Sequence, residues 1–187
     1  KMSLYDLGLR VPLVIRAPGL KSGVVSDSPV SELDLMPTLL ELLGLKPAVK
    51  THGVSLTSIL NGNEDARPRA YAFAEISDRG PLPNDGMQER CVTDGRWSMI
   101  YREKTETNWR QVQADNKFWI PWGNRAYDET LRVKDQFPEA FRILAEMDPQ
   151  NLGAKVPTLE LYDMESDPDQ MHNLANDAAH SSARDRL

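Results

Sequence analysis

The apolar positions near the start of the chain form a continuous run rather than an alternating one. Residues 11–15 (VPLVI) are all apolar, and a Pro-Gly pair closes the stretch at 18–19. Such a run is typical of a strand that is buried on both faces, as in a parallel sheet flanked by helices. Pro12 fits near the start of this strand, where a missing N–H disturbs the ladder least. The pattern therefore predicts a buried strand over 11–15.

Leucines at helical spacing follow this run, at positions 35, 39, 42 and 43. Residues spaced in this way lie on one face of an α-helix. Ser31 or Asp34 can cap the start, and Gly44 supplies the left-handed residue that commonly ends a helix. The pattern predicts a helix over 36–43, and a second, shorter helix is predicted over 55–60.

Beyond residue 68 the pattern changes to strand-like segments, over 69–77 and 88–103. The second segment contains Asp94-Gly95, a pair that tolerates the positive φ of a tight turn and so predicts a β-hairpin. A further helix is predicted over 138–147, where an apolar face recurs before an Asp-Pro stop.

The change of pattern divides the chain into two parts. Residues 1–67 have α/β character, whereas residues 68–187 predict an antiparallel sheet. A buried strand such as 11–15 needs parallel neighbours to satisfy both of its edges, and the first part is too short to supply them. We therefore expect 1–67 to be the end of a larger α/β domain whose other strands lie outside this chain, and 68–187 to be a smaller domain.

The composition mainly excludes certain classes of structure and function. With 27% charged and 40% hydrophobic residues, the 187-residue chain is typical of a globular protein with a core. Its 28 acidic and 22 basic residues give a net charge of −6, which disfavours binding to nucleic acid or to an anionic membrane. No apolar run reaches the length of about 18 residues expected of a membrane-spanning helix. The single cysteine, Cys91, excludes an internal disulfide.

The residues alone assemble no complete active site. The histidines His52, His172 and His180 are not at metal-ligand spacing, so surface or structural roles are expected for them. Cys91 lies in a predicted strand and is expected to be a small buried residue rather than a nucleophile. The acidic run 163–170 lacks the central Gly and terminal Glu of an EF-hand loop, so a turn is favoured over a calcium site.

An aromatic stretch, KFWIPWGNR, lies between the hairpin and the last predicted helix. Trp119, Trp122 and Arg125 suit a pocket that stacks on a sugar ring and pairs with an anion. The alternative is a packed loop within a small domain. We therefore treat these three residues as candidates for substrate binding.

Several phrases, in the right order along the chain, resemble the sulfatase family in its C-terminal half. The three main ones are KMSLYDLGLRVPLVIRAPG, SELDLMPTLLELLGL and ELYDMESDPDQMHNLA. They are similar to the family's Lys-led Tyr-Glu/Asp-x-Gly-x-Arg-x-Pro segment, to its Asp-x-x-Pro-Thr-Leu helix and to its near-terminal Leu-Tyr-Asp phrase. THGVSLTSILNG and ERCVTDGRWSMIYR also fit in order and spacing. The segment around 117–132 is faintly similar to sulfamidases and glycosaminoglycan sulfatases.

The resemblance implies the C-terminal part of an alkaline-phosphatase-like α/β architecture. Residues 1–67 would be the end of the large α/β sulfatase domain. Residues 68–187 would form the smaller α+β domain, with an antiparallel sheet and a packed helix. This division agrees with the one drawn from the change of pattern.

The resemblance also implies chemistry that resides mostly outside this chain. Sulfatases cleave sulfate esters with a formylglycine made from Cys or Ser in a Cys/Ser-x-Pro-x-Arg motif, assisted by Ca²⁺. Cys91 is followed by VTDG and does not match that motif, and the calcium-binding Asp and Asn residues of the family belong to upstream sequence. Lys1, four residues before Tyr5, matches the sulfate-binding lysine, and the bland alternative is a surface lysine. We expect no catalytic residue, bound Ca²⁺ or formylglycine in this chain, and no activity from it alone.

Two alternatives remain open at this point. One is a phosphodiesterase or phosphonate hydrolase of the same superfamily, which the upstream nucleophile would distinguish. The other is a non-catalytic domain that binds a sulfated glycan or a partner subunit. In the sulfatase reading, the partners are the missing N-terminal region and a sulfated small molecule or glycan. The compartment is not fixed by the residues, although the family is typically periplasmic, extracellular or lysosomal.

Overall fold

The central feature of the fold is a four-stranded antiparallel sheet with the strand order β1-β2-β3-β4. The computed structural model describes residues 4–63, 65–76, 89–103, 129–147 and 157–187. The strands are Ala72–Ile76 (β1), Glu89–Thr93 (β2), Trp97–Arg102 (β3) and Leu159–Asp163 (β4). The predicted antiparallel sheet is therefore confirmed, and it is built entirely from residues beyond 68.

The described helices are short. They are Asp6–Leu9 (α1), Leu35–Leu42 (α2), Thr57–Leu60 (α3), Pro138–Met147 (α4) and Ser181–Arg186 (α5), with 3₁₀ turns at Glu32–Asp34 and Ala178–His180. Residues 129–133 are helical as well. The three helices predicted from leucine spacing and stop signals are confirmed, with boundaries that differ by two residues or fewer. Within the described ranges, no helix is long and apolar enough to cross a membrane.

Local signals account for the ends of α2. The Ser31 side chain accepts a hydrogen bond from the Leu33 amide at 3.4 Å, and the Asp34 carboxylate accepts one from the Ser31 amide at 2.8 Å. These reciprocal bonds form a capping box on the 3₁₀ turn that precedes the helix. At the other end Gly44 has φ +68°, the left-handed conformation that terminates a helix.

The predicted strand over 11–15 is not a strand in the structure. The segment has no helix or strand assignment, and Val11, Leu13 and Val14 are 59%, 44% and 91% exposed. A parallel strand requires hydrogen-bonding neighbours on its edges. Each strand of the described sheet pairs only with its neighbours in that sheet, and none pairs with residues 11–15. The prediction of a strand is therefore wrong, because the described residues provide no strand that pairs with the apolar run.

The predicted β2–β3 hairpin is confirmed, and Asp94 organises its turn. The Asp94 carboxylate accepts hydrogen bonds from the amides of Arg96 and Trp97 at 3.0 and 2.7 Å. Gly95 has φ +98°, a backbone conformation that is energetically unfavourable for residues with a Cβ atom. The register that follows places Cys91 opposite Ile100 and Glu89 opposite Arg102.

Gly95→Ala is expected to lower the free energy of unfolding by about 1–2 kcal/mol. The cause is backbone strain rather than a steric clash, since a Cβ at this position would meet no atom closer than Pro29 Cγ, at 3.4 Å. Urea unfolding monitored by tryptophan fluorescence measures the change. Gly95→Asn is the matched control, because asparagine tolerates positive φ better. An alanine variant as stable as the asparagine variant would contradict this account of the turn.

Two hydrophobic clusters lie on opposite faces of the sheet. One consists of Leu4, Cys91, Ile100 and Tyr162. The other consists of Trp97, Leu161, Ala175 and Ala183. Because successive strand residues alternate between faces, the neighbours Leu161 and Tyr162 contribute to different clusters. The first face is covered by the start of the chain and the second by its end, so both terminal segments pack on the same sheet.

Candidate functional site

The first described residues, Leu4 and Tyr5, are anchored on one face of the sheet. Leu4 is 2% exposed and packs in the first hydrophobic cluster. The ring of Tyr5 meets that of Tyr162 edge-on, with centroids 6.2 Å apart and an interplanar angle of 63°. Edge-to-face contacts of this kind favour one ring orientation over others. The first described residues of the chain are thus held in place by the four-stranded sheet.

A buried ion cluster lies beside Tyr5. Arg102 Nη1 is 3.1 Å from Glu160 Oε2, and Arg102 Nε is 3.7 Å from Glu89 Oε1, with all three side chains only 2–3% exposed. The register brings them together, since Glu89 faces Arg102 across β2–β3 and Glu160 lies on the adjoining strand β4. Burying two carboxylates with one guanidinium costs desolvation free energy that apolar residues would not incur.

The Tyr5 hydroxyl connects the start of the chain to this cluster. It donates to Glu160 Oε1 at 3.2 Å and accepts from Arg102 Nη2 at 3.4 Å. Burial, reinforced by the nearby Glu160 carboxylate, raises the pKa of Tyr5 to about 12, so the phenol keeps its proton at neutral pH. Burial alone would lower the pKa of Arg102, but Glu160, Tyr5 and Glu89 outweigh it and the pKa is raised. The cluster therefore stays ionised at its guanidinium and protonated at Tyr5.

Gln170 provides a second anchor for the same segment. Its Oε1 accepts a hydrogen bond from the Asp6 amide at 2.6 Å, and the side chain is 7% exposed. Its backbone φ is +55°, the one positive φ outside glycine among the described residues. A strained conformation persists where surrounding contacts determine it, and here the contact is with Asp6.

The terminal phrase that carries the family resemblance has a structural role here. The Asp167 carboxylate accepts hydrogen bonds from the amides of Met171 and His172, at 3.0 and 2.8 Å. Asn173 caps the outer edge of β4, accepting from the Leu161 amide at 3.0 Å. The prediction of a turn over 163–170 is confirmed. This turn places the Gln170 side chain beside the Asp6 amide.

A further buried carboxylate, Asp34, connects two segments of the first part of the chain to the residue Arg69 before β1. It is fully buried and accepts hydrogen bonds from the amides of Ser31 and Val54, at 2.8 and 2.9 Å. Arg69, just before β1, adds a bidentate ion pair, with Nε 2.9 Å from Asp34 Oδ2. Burial alone would raise the pKa of Asp34, but the bonds from Arg69, Val54 and Ser31 hold it below its ordinary value.

The candidate site residues predicted from the sequence, Lys1, Trp119, Trp122 and Arg125, all lie outside the described residues. Their roles in substrate binding stay predictions. No group of three or more His, Cys, Asp or Glu side chains within the described ranges could hold a metal ion.

Cys91 and the histidines have the structural settings that were expected. Cys91 is 4% exposed, and burial raises the pKa of its thiol, so it is a poor nucleophile. His180 packs against Trp97 with ring centroids 5.4 Å apart. His172 is largely exposed, and its Nδ1 lies 3.7 Å from an Asp167 oxygen. His52 is exposed.

Sequence reasoning missed the residues that hold the start of the chain. Glu89, Arg102 and Glu160 are charged residues within predicted or observed strands, at positions that face inward. The available signal was the alternation itself, because a charged residue in phase with the apolar positions of a strand must find a buried partner. Identifying the partner requires the strand register, which the sequence leaves undetermined.

Comparison with known proteins identifies the family. Residues 1–117 match the model of the C-terminal region of N-sulphoglucosamine sulphohydrolase. The chain belongs to the sulfatase family. The predicted resemblance to the C-terminal half of the sulfatases is thereby confirmed. The faint likeness of the segment around 117–132, which lies beyond the matched residues, stays a prediction.

Full-length relatives of this sulfatase region are considerably longer than the chain. An ulvan-active sulfatase from Formosa agariphila is 25% identical over 188 residues, which cover 100% of this chain and 33% of the relative. The chain therefore spans about a third of that relative's length.

Solved structures agree on the fold. A Bacteroides thetaiotaomicron protein assigned to the sulfatases aligns with a TM-score of 0.58 and 21% identity, covering 100% of this chain and 29% of that one. A phosphonate monoester hydrolase from Silicibacter pomeroyi aligns with a TM-score of 0.53 and 22% identity, covering 92% and 26%. The predicted alkaline-phosphatase-like architecture is confirmed.

Proposed function

We propose that this chain is the C-terminal portion of an enzyme that hydrolyses sulfate esters or sulfamates. The observation that carries the proposal is the family match over residues 1–117, which includes the Lys1 segment, the Asp34 helix and the β2–β3 hairpin. The chain supplies the smaller domain and the last part of the large domain. The nucleophile belongs to the upstream part, since Cys91 is buried and lacks the modification motif.

Within this enzyme, Lys1 contacts the sulfate group. An ammonium at that point offsets negative charge on the sulfate and on the departing oxygen as the ester bond breaks. The anchored residues Leu4 and Tyr5 support this role, because they fix the chain only a few residues beyond Lys1.

The upstream region is the partner of the first part of the chain. Large apolar side chains are exposed along this part, among them Leu7 at 90%, Val14 at 91%, Val25 at 89% and Leu43 at 70%. A monomeric protein rarely leaves so many such residues in water, and a missing part of the same domain would cover them. The run 11–15 would then become the parallel strand that its sequence predicts.

Sulfated glycans are the substrate class we propose. One relative is named for ulvan and the matching family for N-sulphoglucosamine. Trp119, Trp122 and Arg125 provide residue types that stack on sugar rings and pair with sulfate. Ca²⁺ and formylglycine would be supplied by the upstream part. Among the described residues, no three or more His, Cys, Asp or Glu side chains are grouped so that they could hold the ion.

The intact enzyme is expected to hydrolyse para-nitrophenyl sulfate, and the 187-residue chain alone is expected to be inactive. Lys1→Ala should lower kcat/KM of the intact enzyme about a hundredfold, through loss of charge stabilisation at the transition state. Lys46→Ala, at an exposed lysine, is the matched control. Spectrophotometric release of nitrophenol measures all four proteins. Turnover by the chain alone would contradict the proposal.

Phosphonate ester hydrolysis is the second candidate, favoured by the structural likeness to the phosphonate monoester hydrolase. Both reactions place negative charge beside the same kind of lysine, so the C-terminal fold serves either one. Parallel assays with para-nitrophenyl sulfate and para-nitrophenyl phenylphosphonate separate them. A higher kcat/KM for the phosphonate would make the second candidate the main activity.

A further inference from the structure

A cleft of about 290 Å³ lies between the segment 21–27 and the loop that follows α3. We propose that this cleft binds a tetrahedral oxyanion of the sulfate type through Lys21 and Arg67. Binding breaks no bond, so this inference goes beyond the proposed hydrolysis and does not depend on it.

The guanidinium of Arg67 is fixed at the cleft by a neutral partner. Arg67 Nη1 donates to Ser28 Oγ at 2.6 Å, and the Ser28 hydroxyl donates to the Ala66 carbonyl at 3.0 Å. Ser28 is 8% exposed, so this chain of bonds holds the guanidinium against a buried part of the fold. Within the described ranges, no carboxylate forms an ion pair with Arg67, and its positive charge is left for another group.

Lys21 brings a second cation to the same cleft. A Cβ at Gly62 would lie 2.6 Å from Lys21 Cδ and 2.9 Å from Lys21 Nζ. The lysine side chain therefore lies across the space that a side chain at Gly62 would fill. Lys21 also has no ion pair with any carboxylate that the structure describes.

The charge balance of the cleft favours an anion. Asp27 is the one acid among the described lining residues, and it forms an ion pair with neither Lys21 nor Arg67. Two cations against one acid make this cleft locally positive on a chain whose net charge is −6. A guanidinium donates two parallel hydrogen bonds to two oxygens of one anion, and an ammonium adds a compact point charge. A sulfate group offers oxygens for both.

The size and lining of the cleft suit more than a bare ion. Its volume is close to the lower end of the range for small-molecule pockets, about 300 Å³. Val24 and Ile59 contribute apolar surface, and Ser26 and Asn63 contribute a hydroxyl and an amide. The cleft therefore has room either for a free anion or for a sugar that carries one.

Equilibrium dialysis of the intact protein against radioactive sulfate at low ionic strength tests the proposal. We expect the parent to bind one more sulfate per chain than Lys21→Met/Arg67→Met. Lys21→Met alone should weaken this extra binding about tenfold, because one charge-assisted contact is lost. Arg16→Met/Lys46→Met, which removes the same charges at exposed positions outside the cleft, is the matched control and should bind sulfate as the parent does. Circular dichroism establishes that each variant is folded.

Two further probes distinguish a free anion from one carried by a sugar. Methyl sulfoquinovoside bears a sulfonate on a C–S bond that a sulfatase does not hydrolyse, and methyl glucoside, its uncharged counterpart, should not bind in the cleft. Calorimetric binding of the sulfonate that is lost in Lys21→Met/Arg67→Met identifies a sugar-borne anion, whereas a loss seen with inorganic sulfate alone identifies a free one.

Equal sulfate binding by the parent and Lys21→Met/Arg67→Met would overturn the proposal. An equal loss in Arg16→Met/Lys46→Met would overturn it as well, because it would show an effect of net charge rather than of the cleft. A protein that keeps the extra bound sulfate but hydrolyses no sulfate ester would overturn the proposed function alone.

Discussion

Arg102→Met is expected to lower the free energy of unfolding by about 3–5 kcal/mol, because it leaves buried carboxylates without their guanidinium. Glu160 and Glu89 are 2% exposed and lie 3.1 and 3.7 Å from that group. Methionine retains much of the side-chain volume. The loss of stability therefore measures the effect of the missing charge rather than of a cavity. Urea unfolding at neutral pH measures the change.

An exposed ion pair on the same sheet provides the control for Arg102→Met. Arg90 lies 3.1 Å from Glu75, with both side chains about half exposed. Arg90→Met should therefore cost about 1 kcal/mol or less. Adding Glu160→Gln to Arg102→Met should recover part of the lost stability, since it removes one uncompensated charge. If Arg102→Met and Arg90→Met lowered the free energy of unfolding equally, burial of the ion cluster would have no energetic consequence.

Asp34→Asn is expected to destabilise the protein by about 3 kcal/mol, since the bidentate pair with Arg69 loses its negative charge. The Asp34 side chain is fully buried and that of Arg69 is 16% exposed, so solvent screens their interaction weakly. The amides of Ser31 and Val54 bond to different carboxylate oxygens, so the asparagine keeps an acceptor for only one of them. Thermal and urea unfolding measure it.

The same substitution should change how stability depends on pH. The pKa of Asp34 is lower in the folded than in the unfolded protein, so the unfolded state takes up this proton at higher pH. Its contribution is therefore complete above the ordinary aspartate pKa and is lost as pH falls through the lowered folded value. Between about pH 6 and pH 3 the parent should lose more stability than Asp34→Asn. Asp65→Asn, at an exposed carboxylate, should follow the parent, and identical slopes for all three would contradict the assignment.

The elements that the sequence predicted correctly are those stabilised by contacts between near neighbours in the chain. α2 and α4 follow from apolar residues three and four positions apart, and the hairpin follows from Asp94-Gly95. The turn over 163–170 follows from Asp167, which bonds to amides four and five residues further on. In each case the residues that form the element also supply the interactions that stabilise it.

The strand predicted over 11–15 shows the limit of this reasoning. Its apolar residues predict a buried segment, yet Val14 is 91% exposed in the structure. A strand is stabilised by neighbours rather than by itself, and their presence cannot be read from the strand. The family match over 1–117 indicates the kind of domain to which this segment belongs.

By itself, the sequence determined the helices, the hairpin, the absence of an internal disulfide and the family, because these depend on local spacing, composition and the order of short phrases. Only the tertiary structure decided how the start of the chain is held. Tyr5 meets Arg102 across 97 positions and Glu160 across 155. Contacts at such separations depend on strand order and register, and these result from the packing of the whole sheet.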